Sequence, residues 1–251
     1  MIIDIHTHQK KYAANLAEPL DISLPLREGT NNPSCYWTDP VKFEIIESGD
    51  FIGSVVRGGS VNHQKVTITP HGNGTHTECY GHISPDGASV TQVLNQYHHM
   101  AELISVEPVK ISTGDFIITR EMIAEKISHE VQALIIRTLP NDADKRLRQY
   151  SGTNPPYLAE AAAAFVADRG IQHLVVDLPS VDKEVDGGRL AAHKAFWKFP
   201  HSTRTGCTIT ELAYIDNAIT DGLYLLNLQI TSLELDASPS KPVLYKLKEV
   251  L

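Results

Sequence analysis

Cysteine is scarce in this sequence. Three cysteines occur among 251 residues, at positions 35, 79 and 207, and no two of them form a CxxC pair. A disulfide-stabilised secreted domain or a cysteine-rich zinc module needs more cysteines at closer spacing. We therefore set these classes aside and expect a protein from a reducing cytoplasm. No basic residue stands next to Cys79 that would lower the pKa of its thiol, so we expect a buried, unreactive side chain there.

Long apolar runs and an excess of basic charge are also missing. No run approaches the roughly 20 residues of a membrane-spanning helix, and the chain begins Met-Ile-Ile-Asp without the basic start of a signal peptide. Lysine and arginine total 22 against 30 aspartates and glutamates, which gives a net charge of −8. Because nucleic-acid-binding surfaces need clustered basic residues, we expect neither nucleic acid nor a membrane as a partner.

One short segment concentrates the residue types that bind metal ions. His71, His76, Glu78 and His82 fall within twelve residues, among three glycines, and follow an alternating β-branched run at 65–69. In an extended chain His76 and Glu78, two residues apart, point to the same side. Neutral imidazoles and carboxylates are ligands that zinc and manganese accept. The segment therefore predicts a metal site on a strand and the glycine-bent loop beside it. The alternative is a polar surface loop with scattered histidines.

The same segment resembles a known motif. It is similar to the His-x-Gly-Thr-His-x-Asp-x-Pro-x-His motif of the metal-dependent cyclase family, which includes bacterial kynurenine formamidases and isatin hydrolases. Gly74-Thr75-His76 and His82 match the motif in place. The core of the motif is specific, so the resemblance implies a metal-dependent hydrolase.

Three positions depart from that motif. The first histidine of the motif falls on Gly72, with His71 one residue earlier. The aspartate of the motif is replaced by Glu78, whose extra methylene lets its carboxylate reach farther, and the proline is replaced by Tyr80. These departures indicate a divergent branch, in which the number of metal ions is open between one and two.

Later segments resemble the same family in the same chain order. Residues 177–182 resemble its Asp-x-x-Ser-x-Asp, residues 191–197 its histidine followed by a basic residue, and residues 209–216 its Ile-x-Glu-x-Leu-x-x-Leu-Asp. The resemblance implies that the metal ligands are His71, His76, Glu78, His193 and Glu211, and that Asp177, Ser180 and Asp182 brace them. We expect Tyr36, Trp37 and Tyr80 to contact the substrate; the alternative for the first two is that they cover the local edge of the core.

The fold prediction combines local patterns with the resemblance. A buried strand at 133–138, an alanine-rich helix at 157–168 that stops at Gly170, and a strand at 171–177 predict a βαβ unit. The resemblance implies one α/β domain with a mixed β-sheet flanked by helices, of the swivelling β/β/α type. We assign it to residues 20–251, after an N-terminal extension of residues 1–19, and expect a homodimer or homotetramer.

The predicted chemistry is hydrolysis of an amide, a formamide or a cyclic amide, in an aromatic or other small substrate. A bound divalent ion, zinc or alternatively manganese, would lower the pKa of water toward about 7 and provide hydroxide. His82 is the candidate proton shuttle, because imidazole titrates near neutral pH.

Two other functions stay open at this point. The segment Asp4-x-His6-x-His8 resembles the start of TIM-barrel amidohydrolases and phosphoesterases, although repeated βα units do not follow it. Alternatively, the departures at Gly72, Glu78 and Tyr80 mark a non-catalytic or metal-free binding protein on the same fold.

Overall fold

A computed structural model describes residues 1–7 and 10–250 of the chain. Within that part the strands are β1 (Ile2–His6), β2 (Lys11–Asn15), β3 (Leu20–Asp21), β4 (Lys42–Ile45), β5 (Glu47–Ser48), β6 (Phe51–Ile52), β7 (Gln64–Thr67), β8 (His76–Cys79), β9 (His98–Val106), β10 (Val109–Lys110), β11 (Phe116–Ile118), β12 (Ala133–Thr138), β13 (Tyr157–Leu158), β14 (His173–Val176), β15 (Thr208–Glu211), β16 (Gly222–Ile230) and β17 (Ala237–Val250). The α-helices are α1 (Val90–Val93), α2 (Arg120–Ala124), α3 (Glu160–Asp168) and α4 (Ala191–Trp197), and single 3-10 turns span Tyr80–His82 and Ala143–Arg146.

Seven strands close into a barrel. Their order is β17-β16-β9-β12-β14-β15-β8, and β8 pairs again with β17. Strands β9, β12, β14 and β15 run parallel. Strand β16 pairs antiparallel with β9, β8 pairs antiparallel with β15, and β17 closes the barrel by pairing antiparallel with both β16 and β8. The hairpin β1–β2 extends the sheet through the far end of the long strand β17. The single mixed α/β domain is therefore as predicted, but its sheet is closed.

The barrel wall separates two apolar cores. Strand β12 shows how side chains that alternate along the sequence fill both of them. Its side chains alternate, so that Leu134 and Ile136 pack outward among the helices. Ala133 and Ile135 pack inward with residues such as Leu226. A strand that is buried on both faces reads as a continuous apolar run, which is what residues 133–136 are.

Helices cover only one side of the barrel. The predicted βαβ unit is present, since β12 and β14 are parallel and α3 connects them. Gly170 follows α3 at φ +78°, a conformation that ends a helix cheaply only for glycine. Helices α2, α3 and α4 contribute to the same outer core. The expectation of a sheet flanked by helices is therefore not confirmed in that detail. None of the described helices is long and apolar enough to cross a membrane.

Two histidines meet inside the barrel. His98 and His99 begin β9, and His99 is buried. Its ring lies 3.9 Å from the ring of His173, centre to centre. The Nδ1 atom of His173 is 2.9 Å from the hydroxyl of Thr208, so this buried ring nitrogen has a hydrogen-bond partner.

This histidine pair should make the metal-free protein sensitive to acid. Burial, and then the charges of His99 and Arg204, lower the pKa of His173 to about 3. A histidine in the unfolded chain has a pKa of about 6.5. Below that pH the unfolded chain therefore binds a proton at residue 173, whereas the folded chain binds it only near pH 3. From pH 7 to 5 this group should remove about 2 kcal/mol from the free energy of unfolding.

Urea unfolding of the metal-free protein at both pH values measures this loss. We expect His173→Gln to lose about 2 kcal/mol less than the wild type over the same interval. The exposed His201 provides a control, because His201→Gln should keep the wild-type pH dependence. Equal pH dependence in wild type and His173→Gln would contradict the prediction.

Candidate metal centre

The candidate centre is built on the outer face of the barrel, where β8 and β15 pair. Antiparallel pairing sets Glu211 opposite His76 and Ile209 opposite Glu78. On the other face the hydroxyls of Thr77 and Thr210 lie 2.7 Å apart. Because side chains alternate along a strand, His76, Glu78 and Glu211 share the outer face. The register thus places His76 and Glu78 beside the carboxylate of Glu211, which is over 130 positions later in the chain.

Helix α4 adds an imidazole to this face. The Nε2 atom of His193 is 2.9 Å from Glu78 Oε1 and 3.8 Å from Glu211 Oε1. Its Nδ1 atom is 2.6 Å from Asp182 Oδ2, and the other oxygen of Asp182 accepts the backbone N–H of Ala192 at 2.7 Å. Asp182 therefore fixes both the start of α4 and the orientation of the His193 ring. We call His76, Glu78, His193 and Glu211 the inner set.

The inner set is buried and its charges are tightly coupled. None of its side chains is more than 4% exposed. Burial alone would raise the pKa of Glu78, but the nearby imidazoles of His82 and His193 lower it to about 2. Burial alone would lower the pKa of His193, but Glu78 and the hydrogen bond to Asp182 raise it well above the ordinary value. Without a metal, protons on the imidazoles compensate the buried carboxylates.

Three more groups lie on the open side of the inner set. The side chains of His71, His82 and Asp236 are 29%, 31% and 31% exposed. Asp236 Oδ2 is 2.9 Å from His71 Nε2 and 3.2 Å from His82 Nδ1. The two imidazole rings stack with centres 4.4 Å apart. Glu78 Oε2 lies between the two groups, 3.6 Å from His71 Nε2 and 3.8 Å from His82 Nε2. We call His71, His82 and Asp236 the outer set.

Unsatisfied buried atoms show that these residues fit a divalent metal ion. His71 Nε2, His76 Nε2 and Glu78 Oε2 are buried and have no hydrogen-bond partner within the described part of the chain. Buried polar atoms normally have a partner, because leaving one unpaired costs about 1–3 kcal/mol. The side chains of the inner and outer sets form three overlapping groups of three. Within each group, one ligand atom from each side chain lies within 4.8 Å of the others. Imidazole nitrogen and carboxylate oxygen are the donors that zinc and manganese accept.

The structure also explains why the first histidine of the motif is displaced. A Cβ atom at Gly72 would lie 2.2 Å from Cγ2 of Thr38 and 2.5 Å from its Oγ1. No side chain fits there unless Thr38 moves. His71, one residue earlier, instead reaches the cluster as part of the outer set. Two residues later, Gly74 turns the chain at φ +77°, where a Cβ would lie 2.6 Å from Leu26.

A cavity of about 330 Å³ opens onto the centre. Its lining includes His71, Glu78, His82, His193 and Glu211, and also Tyr36, Ser180, Asp182, Lys183 and Glu184. Of the predicted substrate contacts, Tyr36 therefore lies at the cavity wall. Trp37 is 67% exposed and Tyr80 packs on the outer core, and neither is among the residues that line the cavity.

The three residues expected to brace the ligands lie in different places. Asp182 contacts His193, and Ser180 lines the cavity and accepts the backbone N–H of Asp182 at 3.1 Å. Asp177 bonds elsewhere, to Thr138 and Lys145, at distances of 2.9–3.1 Å. Among the described contacts, none links the Asp177 side chain to the inner or outer set. Asp177 therefore anchors the segment that carries Lys145 and the end of β12 at Thr138.

His6, the described member of the rival histidine pair, lies at a different site. His6 ends β1, which pairs with β2 at the edge of the sheet. The cavity beside it, of about 610 Å³, is lined by Met100, Gln132 and Arg169 among others, and by none of the inner or outer set. His8 lies outside the described residues.

Asp236 is the residue of the centre that the sequence reading missed. It stands directly before β17. No spacing relates it to the motif, since 154 positions separate it from His82. Pairing of β17 with β8, with Ala237 opposite Glu78, brings it to the site.

Asp182 provides a test of how the centre is held. We expect Asp182→Asn to weaken metal binding by about 10- to 100-fold, because the ring of His193 loses its charged partner. Competition with a chromophoric chelator measures this change. Asp186→Asn is the matched control, because Asp186 accepts only backbone N–H groups of its own loop. Unchanged metal affinity in Asp182→Asn would contradict the expectation.

Comparison with known proteins gives a consistent result. The model of the Cyclase family, described as "Putative cyclase", matches residues 20–183 of this chain. A kynurenine formamidase of Bacillus cytotoxicus is 30% identical over 236 residues, which cover 92% of this chain and 99% of that protein. A solved structure described as a potential metal-dependent hydrolase with cyclase activity has a TM-score of 0.66 at 19% identity, covering 91% of this chain and 97% of its own. Isatin hydrolase A from Labrenzia aggregata, bound to benzyl benzoate, has a TM-score of 0.65 at 15% identity, with coverages of 91% and 93%. At these identities the two solved structures bear on the fold alone.

Proposed function

We propose, from the premise that this chain belongs to the Cyclase family, that it is a metal-dependent hydrolase of a small formamide or cyclic amide. One observation carries the proposal: unsatisfied buried nitrogen and oxygen atoms of His71, His76 and Glu78 converge beside a cavity. The name of one relative supports the bond type, since it is a kynurenine formamidase.

The inner set would hold the metal ion, which is zinc or manganese in this proposal. When bound, such an ion polarises a carbonyl oxygen and lowers the pKa of water to near 7. The chain itself keeps the ligands in place. The Nδ1–H of His76 donates to the carbonyl of Gly74 at 3.0 Å, which leaves Nε2 free to bind a metal. Asp182 orients His193 in the same way, and the backbone N–H of Val181 donates to Glu211 at 2.8 Å.

His82 would move the proton in this mechanism. Its Nδ1 is bonded to Asp236, while Nε2 faces Glu78 at the cavity. An imidazole whose Nε2 is free can take a proton from the attacking water and deliver it to the leaving nitrogen. The side chain is 31% exposed, so a substrate in the cavity can reach it.

The cavity limits the size of the substrate. A volume of about 330 Å³ is at the low end for small-molecule sites and suits a substrate with a single ring system. Tyr36 provides an aromatic wall against which such a ring can stack. We therefore propose an N-formyl aromatic amine or an aromatic lactam as the substrate class.

A hydrolysis assay tests the function directly. The metal-free protein, prepared with a chelator, and the protein reloaded with zinc or manganese are assayed on formanilide and on simple aromatic lactams. We expect hydrolysis only after reloading. Binding of these compounds without hydrolysis by the reloaded protein would favour the non-catalytic alternative.

The same assay separates the metal centre from the N-terminal histidines. A double variant, His6→Gln with His8→Gln, should keep full activity, because His6 lies away from the inner and outer sets. Loss of activity in this variant, with activity retained in His76→Ala, would support the amidohydrolase or phosphoesterase alternative.

We also propose that the protein is a homodimer or homotetramer. Residues 42–67 form two small two-stranded sheets that are mostly exposed. They carry exposed apolar side chains, among them Val56 at 97% and Val66 at 54% exposure. Apolar residues grouped on one segment are typical of an interface. Light scattering coupled to size exclusion measures the assembly, and a monomer would contradict this part of the proposal.

A further inference from the structure

We propose that the hydroxyl of Tyr36 is a catalytic hydrogen-bond donor, which stabilises the negative charge that develops on the carbonyl oxygen of the substrate during hydrolysis. The inference rests on the proposed function, in which water adds to the carbonyl carbon of an amide. The ring of Tyr36 is part of the cavity wall, and the polar end of a tyrosine can act separately from its apolar face.

The backbone at Tyr36 has a conformation that residues other than glycine rarely adopt. Tyr36 lies at φ +56° and Trp37 at φ +52°, both in the left-handed region. The N–H of Trp37 donates to the hydroxyl of Ser151 at 2.8 Å, and the N–H of Thr38 donates to the carbonyl of Cys35 at 3.3 Å. Strained residues that are held in this way are typical of catalytic and ligand-binding sites. The strain therefore indicates that the direction of the Tyr36 side chain serves the site.

The turn that carries Tyr36 is attached to the metal-binding loop. The N–H of Cys35 donates to the carbonyl of Gly72 at 3.2 Å, and its thiol is 3.3 Å from the carbonyl oxygen of His71. The hydroxyl of Thr38 is 3.3 Å from the carbonyl oxygen of Gly72. Thr38 also occupies the space that a side chain at Gly72 would need. The departure from the family motif at Gly72 therefore lets the Tyr36 turn pack against the loop.

The hydroxyl of Tyr36 lies close to the inner set. Burial, and then the negative charge of Glu211, raise its pKa, and the charge of Glu78 adds to this effect. A hydrogen bond with Ser180, which lines the same cavity, opposes the rise. Because a tyrosine hydroxyl carries its proton at neutral pH, Tyr36 presents a donor on the side of the cavity where the inner set lies.

Two other donors that line this cavity are engaged elsewhere. The ammonium of Lys183 donates to both carboxylate oxygens of Asp115, at 3.0 and 2.8 Å. The hydroxyl of Thr38 is directed to backbone carbonyls. A carbonyl oxygen has two lone pairs, so it can accept a hydrogen bond from Tyr36 in addition to another contact. One donor aimed at a developing oxyanion contributes about 100- to 1,000-fold to kcat.

Replacing Tyr36 with phenylalanine removes the hydroxyl and keeps the ring. The matched control is Tyr150→Phe, because Tyr150 is a buried tyrosine that packs with Cys35 and is not among the residues that line the cavity. In the reloaded protein, Tyr36→Phe should lower kcat on formanilide about 100-fold and leave KM within about threefold, because the lost bond forms only in the transition state. Zinc content should not change, and Tyr150→Phe should keep the wild-type kcat. An unchanged kcat in Tyr36→Phe, or a rise in KM alone, would overturn the proposal.

A series of leaving groups distinguishes this role from proton donation to the leaving nitrogen. The carbonyl oxygen is common to 4-methoxyformanilide, formanilide and 4-nitroformanilide, so Tyr36→Phe should lower kcat by a similar factor on all three. A donor to the nitrogen would matter least for 4-nitroformanilide, whose aniline leaves most readily. A loss of kcat that disappears with the nitro compound would therefore contradict the assignment.

Binding of a tetrahedral oxyanion provides a readout that needs no turnover. Phenylphosphonate carries charged oxygens on a tetrahedral atom next to an aromatic ring, whereas acetanilide is a neutral, planar amide. By calorimetry, Tyr36→Phe should bind phenylphosphonate at least about tenfold more weakly than the wild type and Tyr150→Phe do, and bind acetanilide equally well. Equal affinities for phenylphosphonate would refute the donor role. If the proposed function fails, the wild type leaves every formanilide intact, and this comparison still decides whether Tyr36 binds an oxyanion.

Discussion

Replacing His76 with alanine is expected to remove the inner metal ion and reduce kcat/KM by about a thousandfold or more. The Nε2 atom of His76 is buried, unpaired and 3.4 Å from Glu211 Oε2, so no other described side chain can replace it. An ion that activates water and polarises a carbonyl contributes several kcal/mol to transition-state stabilisation, and each 1.4 kcal/mol is about tenfold in rate. Zinc content and kcat/KM on the best substrate from the reloading assay are measured on the same preparation.

The fold should survive this substitution. The backbone of residue 76 remains paired with Glu211 on one side and Pro239 on the other, so β8 keeps its place in the barrel. Circular dichroism should therefore be unchanged. His63→Ala is the control, because His63 is exposed in the segment 42–67; this variant should keep both metal and activity. A His76→Ala variant with full activity would refute the metal-dependent mechanism.

The second large effect concerns stability and not catalysis. Asp177→Ala is expected to lower the free energy of unfolding by about 3–5 kcal/mol, because it leaves the buried ammonium of Lys145 without its counter-charge. Lys145 Nζ donates to Asp177 at 2.9 Å and to the carbonyl and hydroxyl of Thr138 at 2.7 and 2.8 Å. The side chains are 7% and 0% exposed, so water cannot replace the lost partner.

Urea unfolding measures this effect, and zinc content decides what Asp177 does. We expect Asp177→Asn, which keeps the shape, to be folded, destabilised and still loaded with its full complement of zinc. The exposed pair Lys198–Asp168 is the control, because Asp168→Asn should leave the free energy of unfolding close to that of the wild type. Zinc loss from Asp177→Asn without a change in stability would show that Asp177 supports the ligands after all.

The sequence predicted those parts of the fold that local rules control. The βαβ unit was predictable, because α3 is alanine-rich and stops at a glycine, and because β12 is a short β-branched run. Closure of the barrel was not predictable from local rules. It depends on β17, whose first residues pair with β8 and whose middle pairs with β16. Nothing within the sequence of one strand specifies which edge it will pair with.

The candidate site divides in the same way. By itself the sequence determined that His76 and Glu78 share a strand face, because side chains alternate along a strand. It also determined that His193 and Glu211 belong with them, because the family motifs can be recognised in the sequence. Only the tertiary structure decided that Asp236 joins His71 and His82, and that Asp177 anchors Thr138 and Lys145 away from the centre. The physical reason is sheet register: pairing between strands that are far apart in the chain determines which side chains meet, and a single sequence holds no local trace of that pairing.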